Sequence, residues 1–151
     1  MSTNTETPVS PSVTINDQKY LISELDDKSK SLLNDLTRTV MEYKELLRSY
    51  NQTLTLTNTY VSGLKTEVEK TGLPESSDEE SPSITIADKK YDGSDLPDTV
   101  KAYVSELLRA NQNKTNIEYR LRQLDAARIT FINTLKQAVE ASGVSPTVDE
   151  E

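Results

Sequence analysis

Apolar positions along this chain follow two periods, and each period occurs twice. Val13, Ile15 and Tyr20 alternate with polar neighbours, and the same alternation returns at Ile84, Ile86 and Tyr91. A period of two is that of a strand, whose successive side chains point to opposite faces. It predicts short β-hairpins over 12–22 and 83–92. Asn16-Asp17 suits the positive φ of a tight two-residue turn. Ala87-Asp88 suits it less, because a Cβ is crowded in that region, which leaves a longer second turn open. A two-stranded ribbon cannot stand alone, so these six apolar residues are the candidates for packing on the neighbouring element.

After each hairpin the apolar spacing becomes helical. Leu25-Asp26-Asp27 and Leu96-Pro97-Asp98 mark helix starts, with acids at the positive end of the dipole and Pro where a first turn accepts it. Gly72 and Gly143 are natural stops. Only Gly63 interrupts helices expected over 26–71 and 97–142. In the first, Leu33, Leu36, Val40, Tyr43, Leu47, Tyr50, Leu54, Thr57, Val61, Leu64 and Val68 alternate by three and four, as in a coiled-coil seam. In the second the seam runs through Val100, Tyr103, Leu107, Ala110, Lys114, Ile117, Leu121, Leu124, Arg128, Phe131, Leu135 and Ala138. Lys114 and Arg128 interrupt it, and polar seam residues can fix register or partner number.

The two halves are related. Ser10-Pro11-Ser12-Val13-Thr14-Ile15 recurs as Ser81-Pro82-Ser83-Ile84-Thr85-Ile86, and an offset of 71 holds without a gap to the end of the chain, with 24 identities in 71 pairs. One copy can therefore be used to read the other. Thr53-Leu54-Thr55-Leu56-Thr57 alternates like a strand, but its counterpart Leu124-Asp125-Ala126-Ala127-Arg128 is plainly helical, so the stretch is read as helix. The fold class is mainly α, a tandem repeat of a β-hairpin plus a long coiled-coil-like helix. Repeat one covers 10–72 and repeat two 83–143. Residues 1–9 are expected to be disordered, 73–82 to form an acidic linker and 144–151 an acidic tail.

Chain length limits the path. A helix of roughly 43 residues is about 65 Å long, whereas the linker from Gly72 to Ser83 spans about 43 Å at most. Unbroken parallel helices in register are excluded. The helices pair antiparallel or stack end to end.

Composition narrows the chemistry. There is no Cys and no His in 151 residues, which removes disulfides, thiolate nucleophiles, Cys/His zinc sites and the commonest neutral-pH base. With 34% hydrophobic residues, a thick single core is not expected. No apolar run approaches a bilayer span, and no signal-peptide pattern opens the chain. A net charge of −8 argues against nucleic-acid and anionic-membrane partners. No catalytic, cofactor or metal residues are assigned, and an enzyme is not expected. The acidic clusters at 75–80 and 149–151 lack the spacing of a calcium loop and read as solvated. Arg128 either pairs with Asp125 one turn back or grips a carboxylate of a partner, and Glu118 with Arg122 reads as a helical ion pair.

Ile84, Ile86, Tyr91, Leu96, Lys101, Ala127, Arg128, Phe131 and Leu135 resemble the pattern of a family of short uncharacterised proteins of cyanobacteria and their tailed phages. Members of that family look like one copy of this unit. In the first copy Ile15, Tyr20, Leu25, Lys30, Tyr60 and Leu64 match, while Leu56-Thr57 replaces Ala-Arg, and both turns depart from the Asp-Gly usual in the family. The resemblance implies a phage or cyanobacterial origin and no activity.

The expectation for function is a structural or interaction protein, a virion-associated, assembly or adaptor module working through helical contacts. The rival is a small acidic phage-encoded regulator that binds a host protein. A homo-oligomer, dimer or trimer, and phage or host protein partners are expected, located in the virion or the host cytoplasm. The residues expected at helix contacts are Leu36, Tyr43, Leu47, Tyr50, Leu54, Val61, Leu64, Tyr103, Leu107, Ile117, Leu121, Leu124, Arg128, Phe131 and Leu135.

Overall fold

The computed structural model describes residues 10–76, 83–94 and 96–147. The expected disorder of 1–9 and the expectations for 77–82 and 148–151 lie outside them. The chain is mainly helical, with two small hairpins. Strands β1 (Ser12–Ile15) and β2 (Gln18–Leu21) lead through a short 3-10 turn, Ile22–Glu24, into helix α1 (Asp27–Thr71). Strands β3 (Ser83–Ile86) and β4 (Lys89–Asp92) lead into helix α2 (Asp98–Ser142). Each strand and helix bound in the second hairpin–helix segment falls 71 residues after its counterpart in the first.

The hairpins pair antiparallel, Val13 opposite Tyr20 and Ile84 opposite Tyr91. Both turns are two-residue turns with positive φ at both centres: Asn16 at 53° and Asp17 at 61°, Ala87 at 50° and Asp88 at 64°. The longer turn left open for the second hairpin is not used. Strand register and the right-handed twist of the ribbon impose the primed turn, and Ala87 takes the left-handed conformation despite its Cβ.

Asp26 accepts a hydrogen bond from the Ser29 backbone N–H at 2.9 Å and so caps α1. Gly72 (φ 63°) and Gly143 (φ 70°) end the two helices in the conformation glycine adopts without steric cost. The threonine-rich middle of α1 is helix throughout. Thr53, Thr55, Thr57 and Thr59 each donate their hydroxyl to the carbonyl four residues earlier, at 2.8–3.1 Å. That satisfies polar side chains which would otherwise compete with the helix for its backbone groups.

The chain forms two compact bodies, and each draws on both segments. Of the described residues, one body takes in 10–44 and 122–147, and the other takes in those between Glu45 and Leu121. In the first, Ile15, Tyr20 and Leu25 of the hairpin and helix start pack with Leu135 and Val139 from the end of α2. In the second, Ile86, Tyr91, Leu96 and Val100 pack with Leu64 and Val68 from the end of α1. Side chains buried in this way contribute roughly 1.5–3 kcal/mol each. The hairpins, too small to fold alone, are thus stabilised by the far end of the other segment's helix. Within the second body the helices run antiparallel, since Tyr50 meets Glu118 while Gly63 meets Tyr103.

The residues after each helix are not free linkers. Leu73 and Val144 pack on the two cores. Ser76 N–H donates to the Lys90 carbonyl at 2.8 Å, and Thr147 N–H donates to the Lys19 carbonyl at 2.7 Å. These donors reach backbone carbonyls of the second strand of each hairpin. Among the described residues no helix is long and apolar enough to cross a membrane.

Candidate functional site

The second body carries a groove of mixed chemistry. Thr53, Leu56 and Tyr60 of α1 and Glu106, Arg109, Ala110, Gln112, Asn113 and Asn116 of α2 line a space of about 400 Å³. Thr53 and Ala110 are buried at its floor. Leu56 stands at its edge, 46% exposed. Tyr60 is held by an edge-to-face contact with Tyr103, ring centroids 6.5 Å apart. The three carboxamides offer donors and acceptors beside this apolar floor. Such a lining accepts an apolar side chain together with the backbone of a partner segment.

Beyond the groove, Leu108 is 66% exposed and Tyr119 is also exposed. Eleven residues is close to three helical turns, so the two share a face of α2. Gln112 and Thr115 lie between them on that face.

The first body has a second groove, about 420 Å³, where Val13, Thr14, Ile15 and the turn Asn16-Asp17 meet Leu36, Ile132, Leu135 and Lys136. Asn16 Nδ2 donates to Glu140 Oε1 at 3.5 Å beside it.

Of the residues expected at helix contacts, Leu64, Ile117, Leu124 and Leu135 are buried. Leu36, Tyr43, Tyr50, Leu54, Val61, Tyr103, Leu107, Leu121, Arg128 and Phe131 are half-buried, and Leu47 is exposed. Ile15, Tyr20, Ile86 and Tyr91 of the hairpins are buried, with Val13 and Ile84 half-buried. The inner line of α1 runs through Thr39 and Thr53, both buried, one residue off the Val40 and Leu54 of the expected seam. Threonine gives no apolar signal, so a seam drawn through leucines rotates slightly away from it.

Arg128 pairs with Asp125 one turn back, through Nη2 at 2.8 Å and Nε at 3.2 Å. Glu118 is engaged otherwise than expected. It accepts from the Tyr50 hydroxyl at 3.1 Å and faces Lys114 at 3.9 Å. This bond, with burial adding to it, raises the Tyr50 hydroxyl above its ordinary value, because ionisation would remove the donor and set two anions together. Asp92 is lowered in turn, since the backbone N–H and the hydroxyl of Ser94 both donate to its carboxylate. Among the described residues no three Asp or Glu side chains converge as a metal site would need.

No protein-family model matches this chain, and no similarity to a curated protein or to a solved structure is found.

Proposed function

We propose that this chain is a tandem duplication of a hairpin–helix unit and serves as a non-enzymatic interaction protein, an assembly or adaptor module working through helical contacts. The observation that carries this reading is the mixed apolar and carboxamide surface of the second body, where Leu56 is exposed at the groove and Leu108 and Tyr119 are exposed beyond it on α2. Large apolar side chains set around a polar-rimmed groove suit a protein partner. The net charge of −8 steers it toward basic partner surfaces and away from nucleic acid.

The test is light scattering at micromolar concentration together with affinity capture from the cells in which the protein is made. Self-association, or one stoichiometric protein partner, with either weakened at least tenfold by Leu108→Asp, supports the reading. A monomer that captures nothing, or a complex indifferent to Leu108→Asp, overturns it.

A further inference from the structure

The two cores correspond residue by residue. Ile15, Tyr20, Leu25, Leu135 and Val139 of the first body match Ile86, Tyr91, Leu96, Leu64 and Val68 of the second at an offset of 71, and all five pairs are identical. Ser76 on Lys90 and Thr147 on Lys19 match in the same way. In both bodies the hairpin and helix start of one segment meet the helix end of the other. The face each segment presents to the other is therefore the same in both bodies, with the roles of the two segments interchanged.

We propose that this face is also an association surface between molecules, with a second copy of this chain as the partner. Two chains exchange segments, the first of each pairing with the second of the other. Every core contact described above is reproduced in the exchanged form, because each lies within one segment or joins one segment to the other, and none requires the two segments to share a chain. The closed monomer is favoured only by the connection between segments, whose effective concentration is on the order of millimolar for a short linker. Exchange therefore becomes prominent where chains are crowded to that level, as in an assembly.

Gly63 and Tyr103 bias the exchange toward unlike segments. A Cβ on Gly63 would lie 2.7 Å from Tyr103 Cε1. The positions corresponding to this pair are Thr134 and Leu32. Pairing two second segments would set Tyr103 against Thr134, where a Cβ and more stand in the way of the ring. Pairing two first segments would set Leu32 against Gly63 and leave a void.

The inference rests on the duplication proposed above, and cross-linking of the full chain tests it. One sample carries Tyr50→Cys alone and another Glu118→Cys alone, in a chain that has no other cysteine. The two are unfolded together, refolded at about millimolar concentration and treated with a short bismaleimide. A covalent species of twice the chain mass, falling at least tenfold when refolding is done at micromolar concentration, is expected. A Tyr50→Cys sample mixed with a Leu47→Cys sample, which reports like pairing because Leu47 corresponds to Glu118, should give none. The doubly substituted Tyr50→Cys, Glu118→Cys chain, cross-linked within itself at micromolar concentration, establishes that the sites react. Asn16→Cys with Glu140→Cys repeats the experiment at exposed positions of the first body and serves if the first pair perturbs folding.

Absence of the mixed species from both pairs, with the double variants reacting, overturns the inference. So does a like-paired species as abundant as the unlike one. Self-association seen by scattering without the mixed species overturns the exchange while leaving the proposed docking face standing. The mixed species in a chain that Leu108→Asp does not affect supports the exchange and removes that face.

Discussion

Tyr103 lays its ring against the backbone of Gly63, with Cε1 only 2.7 Å from where a Cβ would stand. This accounts for a glycine inside a 45-residue helix, where it costs about 1 kcal/mol relative to alanine. Gly63→Thr, the residue at the corresponding place in the other segment, should lower stability by about 1–3 kcal/mol through overpacking. Tyr103→Leu in the same chain should recover much of that loss. Urea unfolding of the two single variants and the double variant measures the coupling, and additive effects would mean that the ring moves aside without cost.

Ser29 is fully buried, 0% exposed; its Oγ lies beside the Asp26 carboxylate, which the Ser29 hydroxyl and backbone N–H hold below the usual carboxylate range, but makes no hydrogen bond of good geometry. The corresponding residue is Val100, also fully buried. Ser29→Val should raise stability by about 1 kcal/mol, because apolar packing replaces a buried hydroxyl that is poorly bonded, at the cost of its weak interaction with Asp26. The cap is kept, since Asp26 takes the Ser29 backbone N–H. Val100→Ser should act in the opposite direction. Paired urea midpoints check both signs.

Ala87 holds a φ of 50° where the first hairpin has Asn16 at 53°. Ala87→Asn should stabilise the protein by about 1 kcal/mol, most of the steric penalty of a Cβ in the left-handed region. Thermal unfolding followed by circular dichroism reads the gain. A lower melting temperature would mean that Ala87 has a packing role which the turn geometry does not explain.

The bond from Tyr50 to Glu118 makes stability depend on alkaline pH. The folded Tyr50 hydroxyl is raised above its ordinary value near 10. Its contribution is therefore complete below about pH 10 and is lost as pH rises through the raised folded value. Tyr50→Phe should be less stable than the parent at neutral pH, and the difference should shrink through that alkaline window. A difference that is constant with pH would assign the loss to packing alone.

Much of the fold was legible from periodicity. Alternation located both hairpins, Gly72 and Gly143 ended both helices where expected, and comparison of Thr53–Thr57 with its counterpart recovered a helix that local propensity conceals. The turn at Ala87 was not legible, because pairing of the strands overrides a residue's own φ preference. Thr39 and Thr53 were missed at the candidate contacts because burial of a threonine carries no apolar signature. Glu118 was assigned to Arg122 on its own helix, since no rule of spacing reveals a tyrosine 68 residues away. Leu73 and Val144 were placed in solvated segments for a related reason: they pack on cores that only the meeting of both segments completes.

The threonine ladder in α1 has a consequence for how the protein fails. Thr53-Leu54-Thr55-Leu56-Thr57 is uncharged, free of glycine and proline, and alternates as a fibril-forming strand does. Its helical state depends on packing against α2, because β-branched residues add little helix propensity of their own. Chains in which α1 separates from that partner release a segment able to stack with its like. Variants that loosen the Tyr103–Gly63 contact should therefore precipitate as fibrils that bind amyloid dyes. Asp125 and Arg128 break the corresponding stretch of α2 with charge, so the liability lies in the first helix alone.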